Sequence, residues 1–283
     1  MCTRNHINFI VFISSLGLRE YLRLRSLNKT MTTRTVVILS IFSVAICLSN
    51  RTLLPYENAG TKADCEIKYW LSRLKAEGHH KMVTSRTKEY EYLMTTRMGM
   101  SRSDYVDTRV ADVGPGPRGS LEWADMTKLR VGIDPLANAY VSLGVAKQKM
   151  SYVVASASDI PFPDRYFDIV TSINSLDHVA DVGTAVKEMQ RILRPGGLFL
   201  LSTDVNHRPT PCEPNEFDWD IVHAFEDMEV VTLKKYEKYA PQNRHRSASK
   251  TSLPTVTSDS QPYDFANPTP RYGVLIATLR KKG

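Results

Sequence analysis

Along the chain, short apolar runs alternate with stretches whose hydrophobic residues recur at helical spacing. Residues 108–112 (TRVAD), 129–134 (LRVGID), 151–155 (SYVVA), 164–172 (DRYFDIVTS, a turn running into a strand) and 198–202 (LFLLS) read as short buried strands. Residues 181–193 place Val182, Ala185, Val186, Met189, Ile192 and Leu193 on one helical face. Arg194-Pro195-Gly196-Gly197 then ends the helix and turns the chain into the next strand. Residues 120–124 and 138–147 read as further helices. Residues 228–233 read as a sixth strand and residues 271–279 as a last one. Strands alternating with helices predict an α/β fold with a doubly wound, mostly parallel sheet.

Upstream, residues 63–78 read as a helix through Ile67, Trp70, Leu71 and Leu74, with Gly78 as its stop. Residues 82–98, carrying Tyr90, Leu93 and Met94, read as a second. Residues 1–60 do not read as part of a packed domain. Within them, residues 36–48 (VVILSIFSVAICL) form an apolar run, shorter than the roughly 20 residues of a membrane-spanning helix. Its length suits a signal-peptide core, with Met31-Thr-Thr-Arg34 as a small basic lead. A secreted or membrane-anchored protein, associated with the membrane through residues 36–48, is the leading expectation. An organelle-targeting peptide, or an upstream extension of a cytoplasmic protein with translation starting at Met31 or later, are the alternatives. Asn28 and Asn50 stand in glycosylation sequons. The organisation expected is an extension over 1–60, helices over 61–107, a core over 108–239, a polar flexible insertion over 240–265, and a last strand and tail over 266–283.

Charge changes little in this picture. The net charge is +7, but the first sixty residues hold seven Lys or Arg against two Glu, or +5, leaving +2 for the rest. The basicity is thus a property of the N-terminus and gives no reason to expect a nucleic-acid-binding core. The four cysteines, Cys2, Cys47, Cys65 and Cys212, form no C-x-x-C pair. The core is expected not to depend on disulfides.

The chemistry gathers at residues 110–119 (VADVGPGPRG), a strand breaking into Gly114, Gly116 and Gly119. Glycines let a backbone turn sharply and lie against a ligand. Followed by a helix, such a turn offers free N–H groups to a nucleotide. The spacing fits a dinucleotide fingerprint. With Asp112 two residues ahead, it also resembles the first motif of S-adenosylmethionine-dependent methyltransferases, and a plain tight loop would show it too. An acid at a strand tip about 20 residues on, here Asp134, can accept both ribose hydroxyls in either kind of enzyme.

The downstream motifs separate these readings. Residues 156–163 (SASDIPFP), the strand FDIV at 167–170, NSLDH at 174–178 and LRPGG at 193–197 follow in order. Together with DVGPGPRG and IDPLA they resemble the Rossmann-like class I methyltransferases, of the type-11-like group acting on small molecules. The match is tight over residues 108–202 and weaker beyond. The resemblance implies a seven-stranded sheet whose last strand runs antiparallel beside the fifth. It implies S-adenosyl-L-methionine as cofactor, with Gly114 and Gly116 under the methionine portion and Asp112 orienting the loop. Asp134 would take the ribose, with Pro135 opening a loop beneath the adenine. Ser158, Asp159 and Ile160 would frame the adenine, and Asn174 lies where the methyl group is presented.

The chemistry implied is methyl transfer to an O, N, S or C nucleophile on a small-molecule acceptor, with no nucleic acid as partner. His178 is the first candidate for a general base and Asp177 the second; Asp177 as a helix cap is the plainer role. His207, Cys212, Glu213 and His223 lack any standard metal-ligand spacing, and no metal is expected. A methyltransferase-like scaffold that binds the nucleotide without turnover, or an NAD-type oxidoreductase, are the rival functions. Pro117 departs from the family by removing an N–H from the glycine turn.

Overall fold

The computed structural model describes residues 13–14, 62–84, 86–237 and 273–283. The apolar run 36–48, the sequons and the 240–265 insertion lie outside these residues. The described elements are β1 (Ile13–Ser14), α1 (Lys62–Thr84), α2 (Thr87–Met94), β2 (Arg109–Val113), β3 (Leu129–Ile133) and β4 (Ser151–Val154). They continue with β5 (Phe167–Ile173), α3 (Val182–Ile192), β6 (Leu193–Val205), β7 (Met228–Glu237) and β8 (Gly273–Lys281). The strands form one sheet in the order β1-β4-β3-β2-β5-β6-β8-β7. β8 runs antiparallel to both of its neighbours and every other pairing is parallel. The seven expected strands are present. β1 adds two residues at the β4 edge, from a stretch the hydropathy reading set aside as an extension.

The period-two alternation of the strands sorts their side chains onto two faces. Ala111, Val113, Val170, Phe199, Leu201, Leu275 and Ala277 pack on one face with Ala185, Val186, Met189 and Ile192 of α3. Val110, Ile169, Leu200, Val274 and Ile276 face the other way, against Leu93, Met94, Met98, Tyr105 and Trp123. Helix α3 starts where Asp181 accepts from the Thr184 amide at 3.0 Å, capping an orphan N–H. At the far end of the strands Asp168 accepts from the Arg109 amide at 2.8 Å and from Arg194 Nε at 2.7 Å. The acid of FDIV thereby joins the start of β2 to the arginine of LRPGG.

Three expected helices are corrected. Residues 120–124 form consecutive turns, with Glu122 N bonded to Gly119 O and Ala124 N to Leu121 O. The Glu122 carboxylate is taken by the amides of Lys149 and Met150, each at 2.7 Å, which ties this turn to the entry of β4. Residues 138–147 become two 3-10 turns, Ala139–Leu143 and Val145–Lys147, parted by Gly144 at φ 103°. The helix expected over 82–98 is confined to α2, because α1 runs on to Thr84 through a kink at Gly78 (φ 76°).

The expectation of a core independent of disulfides is also corrected. Cys65 of α1 is bonded to Cys212, with their Cα atoms 5.4 Å apart at a sequence separation of 147. A cross-link closing so long a loop removes much conformational freedom from the unfolded chain. We expect reduction, or the Cys65→Ser/Cys212→Ser pair, to lower stability by about 2–5 kcal/mol. Denaturant melts of the oxidised and reduced protein measure this, and coincident midpoints would contradict it.

Candidate functional site

In the strand order β2 lies beside β5, and the connection leaving β2 runs to one side, to β3, while that leaving β5 runs to the other, to β6. That switch point opens a crevice at the carboxyl ends of the strands, where open α/β sheets bind ligands. The glycine turn sits there. Gly114, Gly116 and Gly119 have φ of 76°, 59° and 69°, which side-chain-bearing residues rarely adopt. A Cβ on Gly114 would come within 2.5 Å of Ser175 Cβ. The turn after β2 and the loop after β5 therefore touch only because position 114 is bare. Ser175 Oγ donates to Val113 O at 2.6 Å and fastens the contact.

Two buried carboxylates support the turn. Asp112 is fully buried and pairs in register with Thr171 of β5. It accepts from Thr171 Oγ1 at 2.6 Å and from the Ser120 hydroxyl, so both oxygens face the fold. Burial pushes its carboxyl up to about 7, against the pull of those two hydrogen bonds. Asp134 stands at the tip of β3 and accepts from the Gly116 amide at 3.2 Å and the Leu136 amide at 2.8 Å. Burial raises it to about 6, again opposed by its hydrogen bonds. An ionised carboxylate has about four acceptor positions, and these two amides use half of them.

The remaining predicted residues are spread along the same rim. Pro135 is exposed beside Asp134. Ser158 is half-buried, with its amide bonded to Ser156 Oγ at 3.2 Å, and Asp159 is exposed. Ile160 is buried in the core and its amide donates to Glu188 Oε2 at 2.8 Å. Arg191 donates to the carbonyls of Ile160 and Phe162, each at 2.8 Å. Glu188 and Arg191 of α3 thus shape the 156–163 loop, a role their helical pattern alone gave no reason to expect. Asn174 is exposed at φ 50°, with its amide bonded to Ser202 O at 2.7 Å.

Asp177 and His178 fall together in a 3-10 turn after β5. Asp177 has no accessible surface, and neither carboxylate oxygen has a hydrogen-bond partner. Burial raises its proton affinity; His178 works against this and Glu213 and Asp204 with it. His178 Nδ1 is hydrogen-bonded to Glu66 of α1. Its Nε2 lies 3.8 Å from Asp177 Oδ1 and 3.8 Å from Glu213 Oε1. Burial alone would lower the imidazole pKa, but Glu66, Asp177 and Glu213 outweigh it and the net shift is upward.

Helix α1 lies across this rim. Cys65 ties it to the loop carrying Glu213, and Asn215 of that loop donates to Asp177 O at 3.0 Å and Val179 O at 2.7 Å. A Cβ on Gly116 would come within 2.8 Å of the Trp70 ring, so this indole lies on the glycine turn. Arg118 sits over the same ring at 5.5 Å and pairs with Glu77 at 2.9 Å. Lys62 acts electrostatically on Glu66, Asp134 and Asp177. Lys62, Glu66 and Trp70 follow one another at i, i+4 spacing, so one helix face meets the site. The sequence places Trp70 only among the apolar positions of the 63–78 helix and gives Lys62 and Glu66 no role. Of the four residues weighed there as metal ligands, Cys212 is in the disulfide and Glu213 stands beside Asp177 and His178.

Among known proteins, residues 111–201 match the family described as Methyltransferase domain. A ubiquinone/menaquinone biosynthesis C-methyltransferase UbiE of Shewanella frigidimarina is 40% identical over 88 residues, 30% of this chain and 33% of that protein. The enzyme of that name from Pseudomonas aeruginosa is 40% identical over 88 residues, 30% of this chain and 32% of its own length. The chain thus spans about a third of the length of these relatives. The [4+2]-cyclase SpnF superposes with a TM-score of 0.53 at 14% identity, over 79% of this chain and 97% of that one. A chain of the complex between the Haloferax volcanii Trm112 methyltransferase activator and a methyltransferase gives 0.52 at 17%, over 80% and 100%. These two likenesses establish the fold, and a cyclase among them illustrates that a fold does not by itself fix the reaction. Fold, motif order and family match agree that residues 111–201 are a class I, S-adenosylmethionine-dependent methyltransferase domain with the Rossmann-like architecture.

Proposed function

We propose that this protein transfers a methyl group from S-adenosylmethionine to a small-molecule nucleophile. The observation carrying the proposal is the placement of Asp134 at the β3 tip, bonded to the glycine turn yet with half its acceptor capacity unused. The residues suit the nucleotide: two vicinal hydroxyls need such an acceptor, and it stands beside a sharp left-handed turn whose glycines leave room for Ser175 and Trp70 to pack at the rim. The donor supplies a sulfonium methyl open to in-line attack. Asp134 would hold the ribose end and the glycine turn the methionine end, while Ser158 and Asp159 flank the adenine side. Asp112 acts through the turn it braces, since Ser120 and Thr171 occupy its oxygens. Asn174, Asp177 and His178 would form the acceptor side. Helix α1 and the loop bearing Cys212 would close over the reacting groups and exclude water.

The acceptor itself is set by parts outside the family match. The shared segment is residues 111–201, whereas α1 and the loop carrying Cys212 and Glu213 lie beyond it. The relatives' C-methylation in quinone biosynthesis is thus a guide to donor chemistry more than to the acceptor. We further read residues 36–48 as a targeting or anchoring segment of the secretory pathway. The Cys65–Cys212 disulfide supports that reading, since such bonds persist in oxidising compartments. A reporter fused after residue 60 should enter that pathway, by fractionation and protease protection; a freely cytosolic reporter would refute it.

Asp134→Ala should weaken S-adenosylhomocysteine binding at least tenfold by calorimetry, with the melting transition still cooperative. Unchanged affinity would refute the assigned role. Turnover should accompany binding on some acceptor in a small-molecule panel; tight binding without turnover would favour the scaffold.

The pH dependence has a definite sign. Asp112 and Asp134, at about 7 and 6, are raised above the ordinary carboxylate value near 3.8. Their neutral forms favour the fold, so the ligand-free domain should lose stability as pH rises from about 4 through 7. Ribose hydroxyls donate to the ionised form of Asp134, so nucleotide affinity should rise over pH 5–7. Asp134→Asn should flatten that rise; calorimetry at several pH values checks it.

A further inference from the structure

We propose that Asp177, His178 and Glu213 form a binding site for a divalent metal cation. The argument starts from Asp177. It has no accessible surface, and neither of its carboxylate oxygens has a hydrogen-bond partner. A carboxylate in that condition carries a large desolvation cost unless a cation or proton compensates it. Its neighbours supply neither through hydrogen bonds. His178 Nε2 is 3.8 Å from Asp177 Oδ1 and His207 Nε2 is 3.6 Å from Asp177 Oδ2, too far for hydrogen bonds.

Those spacings fit ligands around a shared ion. Two ligands each about 2.1–2.3 Å from one metal stand roughly 3.0–3.8 Å apart, depending on the angle. His178 Nε2 is 3.8 Å from Asp177 Oδ1 and 3.8 Å from Glu213 Oε1. One atom from each of Asp177, His178 and Glu213 lies within 4.8 Å of the others, so a small contraction closes the set on an ion. The orientation of His178 is independent support. Glu66 binds Nδ1, which leaves Nε2 aimed at two carboxylates. A carboxylate on one imidazole nitrogen is the usual way of presenting the other to a metal. One imidazole and two carboxylates suit a first-row divalent ion or Mg²⁺-like ion tolerant of nitrogen.

The position gives the ion a purpose. Asp177 and His178 belong to the turn after β5, Glu213 to the loop tied to α1 by Cys65–Cys212, and Glu66 to α1 itself. A cation there would latch three separate elements over the crevice. The nearby ammonium of Lys62 acts on Asp177 from a distance and does not hydrogen-bond to it. His178 would then serve as a ligand, not as the free general base that its sequence position suggests.

The test uses the full, oxidised, untagged chain, stripped with a chelator and titrated with Mn²⁺ and, separately, Zn²⁺. Calorimetry should show one ion per chain for at least one metal, with a melting rise of several degrees. Asp177→Asn should melt higher than the parent without metal, because an uncompensated buried charge is gone, and should lose the metal-induced rise. Glu213→Gln, in a partly exposed loop, should fold normally and bind at least tenfold more weakly; it carries the test if Asp177→Asn does not fold. Absence of heat and of any melting shift with both ions, in folded parent protein, would overturn the site. Parent-like affinity in both Glu213→Gln and His178→Gln would overturn it too. A parallel titration with S-adenosylhomocysteine reports on the nucleotide site separately.

Discussion

Asp134 accepts one hydrogen bond from Gly116 and one from Leu136, joining the turn after β2 to the turn after β3. The geometry of the crevice rests on that junction. A backbone at φ 59°–76° needs outside support to hold its shape, and no helix follows between β2 and β3 to anchor it. The chain substitutes side chains for the missing helix. Asp112 ties Ser120 to Thr171 across the sheet, Gln148 donates to Pro117 O at 2.7 Å, and Tyr152 donates to Gly116 O at 3.0 Å. Each partner is buried, where a lost hydrogen bond costs most. The same burial raises the two acids, so the turn is braced by carboxylates that ionise at higher pH than exposed ones.

Above this braced floor, α1 is held by contacts of a different kind. Trp70 and Leu74 pack against the core, and Trp70 also lies on Gly116; charge and covalent linkage add to this. Glu77 pairs with Arg118 and Glu66 with His178, and Cys65 is bonded to Cys212. Such contacts respond to pH, salt, redox state and bound ions, whereas the packed faces of the sheet respond little. The floor is therefore permanent and the cover conditional, a division that suits a site that must admit and release a nucleotide.

The floor was largely legible in the sequence because its signals are local. Strands announce themselves by β-branched runs, α3 by its 3.6-residue stripe and its RPGG stop, and the switch point by three closely spaced glycines. The helices misread at 120–124 and 138–147 failed for a tertiary reason. Glu122 and Ser120 spend their side chains on Lys149, Met150 and Asp112, and Gly144 adopts φ 103°. No window of neighbouring residues contains that information. Nor does any window contain the Cys65–Cys212 pair, although two cysteines remained once the N-terminal stretch was set aside. Asp177 illustrates the same limit: as a motif letter it reads as a helix cap, yet the helix is capped by Asp181.

Asp177 also shows how the two halves of the site are connected. A buried acid at the lip of a parallel sheet is costly, and the fold could have avoided it with an apolar residue. Keeping it makes sense only if something positive is meant to stand against it. Asp112 and Asp134 are each met by hydrogen-bond donors from their own surroundings, Asp134 with acceptor capacity left over. Asp177 alone of the three has none on its carboxylate, and the groups that gather around it come from α1 and from the loop behind the disulfide. The residue left unsatisfied by the floor is thus the one the cover is built to reach. On the proposed function, the cover, outside residues 111–201, would then share with Asp177 and His178 the choice of what the site accepts.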